Sequence, residues 1–285
     1  MKEYLKIRRK QQGDPLQICE YTNEDGSILP VLKFQELSDL DFIEHCFSMR
    51  QGGVSEGYQA SLNLTYSRGD DPRNVRKNYE RLTKVFHGTP EQLFMTRFEH
   101  GTTVVRVDKA GQDPGDLRYD GMITNVPGII LGALVADCMP VMFADPVRKA
   151  IGLCHSGWRG TLGRISRETV ERMHQEYGCD PGDIICAIGP SVCGECYEIN
   201  DEITEQFRLA YPGHGEEILV DKHNGHQMLD LWRSCAISLY ECGVRKVLIT
   251  DICTVENTEI LFSHRVMGGK RGNTGAFIQI KEGIW

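Results

Sequence analysis

The chain has 285 residues, 40 acidic against 32 basic, and a formal net charge of -8. At about 150 residues per domain this length gives one or two domains, and 40% hydrophobic with 25% charged residues is an ordinary globular mix, which excludes a disordered, collagen-like or coiled-coil chain. The acidic balance argues against a sequence-independent grip on nucleic acid, which needs a basic face.

Met1 to Lys10 is basic with no apolar stretch behind it, so no secretory signal is expected. The pattern predicts strands over Ile28–Gln35 and Phe42–Met49. Asp71 and Pro72 then open a helix as N-cap and first helical residue, and Val75, Tyr79, Leu82 and Phe86 give it one apolar stripe. Strands are predicted over Thr103–Val107, Ile129–Val135, Val141–Ala144 and Ala150–Cys154, a helix over Thr161–Tyr177, and a strand over Ile184–Ile188. Helices over Asp201–Ala210 and Leu229–Tyr240 and strands over Lys246–Ile252 and Ala276–Lys281 complete the chain. Strands and helices interleave without a linker, so one large α/β or α+β domain is expected. The longest apolar run, Gly128 to Ala144, holds Asp137 and Cys138 and falls short of the about 20 residues of a spanning helix. A soluble, cytoplasmic protein without a membrane partner is expected.

Eleven cysteines, an odd number, are the unusual entry in the composition. In the cytoplasm they stay reduced, as buried small hydrophobes, metal ligands or catalytic thiols. Three segments concentrate reactive side chains: Phe98-Glu99-His100-Gly101, Ala136-Asp137-Cys138-Met139-Pro140 and Cys154-His155-Ser156-Gly157-Trp158-Arg159-Gly160-Thr161. His100, Cys138 and His155 are a plausible zinc set, with three protein ligands and the fourth position open, as in a catalytic site. The same residues equally allow a metal-free pair, Cys138 as nucleophile and His155 as base. Asp137 is a candidate acid/base or orienting carboxylate. Gly157 at a helix entry suits an anion, and Arg159 adds a planar fork for phosphate or carboxylate.

Arg50, at a strand end before Gly52-Gly53, and Ser61 with Asn63, on one face of an extended segment, are candidate substrate contacts. Arg265 leaves a strand end in the same way. Tyr197-Glu198 suits a pocket wall or a surface pair. Cys193-Gly194-Glu195-Cys196 has no second CxxC to close a zinc site and is assigned a structural role. Gly268 to Gly275 is expected to be a flexible, solvated basic loop.

Taken together, FSMRQGGVS with SLNL, HG before a strand, ADCMPVMFAD, CHSGWRGT, IGPSVCGECYEI and CTVENTEILFSHR with TG resemble the YfiH/YlmD/LACC1 family, formerly called multicopper polyphenol oxidoreductases or laccases. The resemblance runs from about Phe47 to the last strand. It implies a single-domain four-layer αββα sandwich of mixed β-sheets, with residues 41–285 as the catalytic domain and 1–40 as a poorly matched segment continuous with it. It implies a zinc enzyme that cleaves adenosine, inosine, guanosine and methylthioadenosine with phosphate to base and ribose 1-phosphate, and that deaminates adenosine. By motif its metal ligands are His100, Cys138 and His155. Arg50, Ser61, Asn63, Gly157, Arg159 and Arg265 are then candidate contacts to nucleoside and phosphate. The chain departs from the family at Phe98-Glu99, where Gln-Val is usual, at His264 and Val266 within the usual Ser-Tyr-Arg-Arg, and at Ala276, where an arginine is usual. Copper with phenol oxidation, a metal-free Cys–His hydrolase and a non-catalytic partner protein are the alternatives. Nine histidines without an H-x-H pair fit multicopper chemistry poorly.

Overall fold

The computed structural model describes residues 7–10, 14–221 and 227–283. Most of the basic stretch at the N-terminus, residues 1–6, lies outside the described residues. The chain runs through β1 (Leu16–Thr22), β2 (Ile28–Phe34), α1 (Gln35–Ser38), β3 (Ile43–Ser48), α2 (Pro72–Thr83), β4 (Leu93–Met95), β5 (Val104–Arg106), β6 (Gly121–Thr124), β7 (Ile130–Val135), β8 (Met139–Asp145) and β9 (Ala150–Ser156). It continues through α3 (Trp158–Leu162), α4 (Ile165–Tyr177), β10 (Ile185–Ile188), β11 (Glu198–Ile199), α5 (Asp201–Ala210), α6 (Gly215–Ile218), β12 (Leu219–Asp221) and β13 (Gln227–Leu229). Last come α7 (Leu231–Glu241), β14 (Lys246–Ile249), α8 (His264–Met267) and β15 (Thr274–Ile280).

Two six-stranded sheets have the orders β1-β2-β3-β15-β7-β4 and β14-β10-β8-β9-β6-β5, and β11-β13-β12 form a small third sheet. Both large sheets are mixed: β4 with β7, β5 with β6 and β10 with β14 pair in parallel, and the other pairs are antiparallel.

Three apolar layers explain why the elements stack. Between the sheets, Leu32, Phe47, Leu131 and Ile278 of one meet Met142, Ile151, Leu153 and Ala187 of the other. Outside the first sheet, Val31, Cys46 and Phe277 meet the predicted stripe Val75, Tyr79, Leu82 and Phe86 on α2 and the turn after it. Outside the second, Val141, Phe143 and Cys186 meet Ile165, Val170 and Met173 of α4 and Cys235 and Leu239 of α7. Each fully buried large side chain contributes roughly 1.5–3 kcal/mol. The result is the αββα sandwich.

The α2 start is as expected: the Asp71 side chain accepts from Arg73 N–H, with Pro72 behind it. The helix predicted over Thr161–Tyr177 is two helices, α3 and α4, because Arg164 takes a left-handed backbone (φ 63°) between them. Tyr211 Oη donates to the Thr161 carbonyl at 2.8 Å and Arg164 Nη2 to the Ala210 carbonyl at 2.8 Å, so α5 holds that break open. Helix α7 starts later than expected, since Gln227–Leu229 is a strand. The expected solvated loop is also corrected: Arg271 and Asn273 are buried, with Gly272 packed against Phe262 and Asn63.

Register places many strand ends at one edge of the sandwich. Val135 at the end of β7 faces Thr274 at the start of β15. Ser156 at the end of β9 faces Met139 at the start of β8, and Cys154 faces Gly121 at the start of β6. At this edge the chain passes from the first sheet to the second between β4 and β5 and again between β7 and β8, and it returns between β14 and β15.

Candidate metal centre

His100 lies on the β4–β5 crossing, Cys138 on the β7–β8 crossing, and His155 near the end of β9. Their ligand atoms all lie within 4.8 Å of one another. His155 is buried, while His100 and Cys138 are half-buried. His100 (φ 64°) and Asp137 (φ 87°) both sit in left-handed backbone, a strained choice for residues with side chains and one that concentrates at functional sites.

Gly157 leaves the space for this set. A Cβ there would lie 3.1 Å from Cys138 Sγ and 3.2 Å from His100 Cδ2. The glycine is therefore needed for close approach at this point, and not for its φ, which is an ordinary −78°.

Asp120, just before β6, organises the set and was not singled out from sequence. Its buried carboxylate accepts from His155 Nδ1 at 2.9 Å and from the backbone N–H groups of Glu99, His100 and Gly101 at 3.1, 3.1 and 2.9 Å. Its carbonyl accepts from His155 N–H at 2.7 Å. A carboxylate that holds the second nitrogen of a ligand imidazole fixes its tautomer and orientation. Burial by itself would raise the Asp120 pKa, but the His155 hydrogen bond and the N–H groups of Gly101 and Glu99 outweigh it and lower it.

The electrostatics favour a thiolate. Burial pushes the Cys138 thiol up, but the charge of His155 and hydrogen bonds from His100 and His155 bring it down to about 6. Burial opposes charge on His155 too, yet Cys138 and Asp120 raise it to about 9. Two imidazoles and a thiolate, with a carboxylate behind one imidazole and an open side against Gly157, fit a borderline-soft divalent ion.

Both aromatic and basic side chains lie near the set. The Phe98 ring lies 4.8 Å from that of His155 and 5.4 Å from that of His100. Phe98 also lines a cavity of about 420 Å³ with Tyr66, Tyr79, Met95, Thr96 and Leu134. Burial first and the charge of Cys138 second push the Tyr197 phenol up to about 12, while Arg265 and Arg159 act the other way. The Arg265 guanidinium stacks 4.8 Å from the Tyr197 ring centroid. Arg271 is the arginine that sequence reasoning assigned to a solvated loop. It is buried, which lowers its pKa, and its Nη1 donates to the Gly272 carbonyl at 3.0 Å and to Asn273 Oδ1 at 2.7 Å.

The other expected contacts have defined partners. Asp137 Oδ1 accepts from Thr254 Oγ1 and Oδ2 from Arg265 N–H, each at 2.6 Å. Arg50 donates to the carbonyls of Ala60 and Thr258 at 3.0 and 2.7 Å, so its fork is used within the loop. Ser61 Oγ accepts from Gly53 N–H, and Asn63 Oδ1 accepts from Thr65 and Asn273 N–H. These three residues shape the loops of this edge. Arg159 is exposed and stacks on Trp158 at 4.2 Å, and the helix beyond Gly157 has only five residues.

A protein of Deinococcus radiodurans named purine nucleoside phosphorylase is 37% identical over 250 residues, 88% of this chain and 92% of its own length. A protein of the same name from Bacteroides thetaiotaomicron is 32% identical over 88% of this chain and 96% of its own. The crystal structure of YlmD from Geobacillus stearothermophilus superposes with a TM-score of 0.82 at 27% identity, covering 97% of this chain and 99% of that one. Residues 44–281 match the family described as multi-copper polyphenol oxidoreductase laccase. With nearly the whole chain aligned and the His–Cys–His set assembled, the protein belongs to that family.

Proposed function

We propose that this protein is a zinc-dependent purine nucleoside phosphorylase that also deaminates adenosine, with residues 41–285 as the catalytic unit and 1–40 continuous with it. The observation that carries this is the convergence of His100, Cys138 and His155, with Phe98 linking the set to an aromatic cavity. The printed names of the relatives support the phosphorylase part. His100, Cys138 and His155 would hold the zinc, which when bound would supply Lewis acidity and a water of lowered pKa.

The chain's own residues do the rest. The cavity beside Phe98 takes the flat, largely apolar purine, leaving ribose and phosphate toward Tyr197. Arg271, Arg68, Arg265 and Arg159 gather the phosphate against the acidic net charge of the protein. A phosphate oxygen bonds to the ribose C1′ as the C1′–N9 bond breaks, and the bond's electron pair leaves with the purine. Asp137, held as a carboxylate by Thr254 and Arg265, relays the proton of the attacking hydrogen phosphate to the departing base, and fixed charges meet the developing charge at C1′. Asp120 keeps the proton on His155 Nδ1, which leaves Nε2 to the centre. A cytoplasmic location belongs to the proposal and rests on the many free thiols.

The test supplies inosine or adenosine, with and without phosphate, to wild type and Cys138→Ala. Phosphate-dependent release of base with equal ribose 1-phosphate is expected from wild type alone. Base release no greater than from Cys138→Ala overturns the phosphorylase. Several copper equivalents with phenol oxidation would favour an oxidase instead, and activity blocked by iodoacetamide but untouched by chelators would favour a Cys–His hydrolase.

A further inference from the structure

The structure assigns a second thiol-rich site: we propose that Cys193, Cys196 and Cys253 together hold a thiophilic d10 cation of the zinc class, in a structural centre behind Asp137. The three sulfurs lie within 4.8 Å of one another. A tetrahedral ion with about 2.3 Å bonds to sulfur needs them about 3.8 Å apart, a small contraction. The CxxC closes with one distant cysteine. Cys193 and Cys196 share a turn, with Cys196 N–H donating to the Cys193 carbonyl at 3.0 Å. A bridge between Ser191 and Cys253 lays the second segment alongside, secured by Thr254 N–H to the Ser191 carbonyl at 3.1 Å.

The polar surroundings suit ligand sulfurs. Cys193 N–H donates to Cys253 Sγ at 3.4 Å, and the N–H groups of Glu256 and Val255 also point at that sulfur. N–H donors aimed at a sulfur stabilise its thiolate, the form that binds metal. Glu256 Oε1 lies 4.0 Å from Cys196 Sγ and leaves the fourth position to a water. Lys10 reaches over from the N-terminal segment, 2.6 Å from Glu195 Oε2 and paired with Glu256. Three converging sulfurs are one more than a disulfide uses.

The position gives the ion a task. Val192 N–H donates to the Asp137 carbonyl at 3.0 Å, and Thr254 to its carboxylate. The same two segments continue to Tyr197 and Arg265. A cation tying 193, 196 and 253 fixes both walls around Cys138 from behind.

The test counts metal on the full chain purified under reducing, oxygen-free conditions and loaded with zinc. Wild type is expected to carry two zinc ions, Cys138→Ala one, Cys253→Ser one, and the double variant none. Cobalt in Cys138→Ala should give an intense thiolate-to-metal charge-transfer band in the near ultraviolet. Cys196→Ser, at a half-buried position, should fold if Cys253→Ser does not, and in the Cys138→Ala background it should lose about a third of that band. Cys138→Ala without zinc or without the band overturns the proposal. So does a Cys193–Cys253 disulfide in the oxygen-free protein, seen as a mass two hydrogens lighter. These readouts do not depend on turnover, so failure here is distinct from failure of the phosphorylase.

Discussion

Asp120→Asn tests whether the metal set is held from behind. The wild-type carboxylate accepts four hydrogen bonds, one from His155 Nδ1 and three from backbone N–H groups that fix the His100 loop. An amide of the same shape keeps one acceptor oxygen and turns two donors toward N–H groups. Losing the support behind a ligand imidazole costs about 10–100-fold in metal affinity, or roughly 1.4–2.8 kcal/mol. The folded chain loses in addition, because hydrogen bonds to a charged acceptor contribute about 1.5–3 kcal/mol each and water can replace only those at the half-exposed loop; about 3–5 kcal/mol in all is expected. Competitive zinc titration against a chelator measures the first number, and urea unfolding of the metal-free variant measures the second. The sign with pH is fixed: the Asp120 pKa is depressed on folding, so its stabilisation is present above about pH 4 and lost as pH falls through the depressed value. Unchanged zinc affinity in Asp120→Asn, with the fold intact, would refute the idea that this carboxylate orients His155.

Gly157→Ala places a methyl group 3.1 Å from Cys138 Sγ on a backbone that tolerates alanine; a fall of about tenfold or more in zinc affinity with little change in metal-free stability is expected by the same titrations. Arg271→Ala should raise the KM for phosphate about tenfold and leave the KM for inosine nearly unchanged, read from initial rates at varied phosphate. In metal-free protein, alkylation of Cys138, followed by peptide mapping, should fall off as pH drops through about 6; a midpoint near the ordinary ~8.5 would contradict the thiolate. Because the folded pair (about 6 and about 9) and the unfolded groups (~6.5 and ~8.5) bind nearly the same number of protons at each pH, this pair should change metal-free stability by less than about 1 kcal/mol between about pH 5 and 10, read by urea unfolding across that range.

His100, Cys138 and His155 could be picked out from sequence because their side chains are chemically distinctive and interrupt apolar strand ends. Asp120 could not: one carboxylate before a strand is like many others until the fold brings the His100 loop and His155 to it. Arg271 was misjudged for a related reason. Glycines around it spell a loose loop, yet Gly272 exists there to let Phe262 and Asn63 pack close, which buries its neighbour. The CxxC lacked a closing partner in sequence because Cys253 arrives 60 residues after Cys193, through a bridge that only the β10–β14 pairing creates. The long strands and α2 carry clear periodicity. Leu16–Thr22, by contrast, is an edge strand of half-buried and exposed residues that splits its few apolar side chains between two layers, Leu16 and Ile18 on one and Cys19 and Tyr21 on the other. The break at Arg164 has no proline to announce it; contacts from α5 impose it.

The two crossings that carry His100 and Cys138 are also the seam where the first sheet hands the chain to the second. An ion gripping both, together with His155 on β9, fastens one layer to the other at that edge. Occupancy of the site and the stability of the seam would then be linked. At a free ion concentration a hundredfold above Kd the fold gains about 2.7 kcal/mol, and it forfeits that gain when the ion is withdrawn. Supply of the metal would thus govern how long each folded molecule survives as well as how fast it turns over.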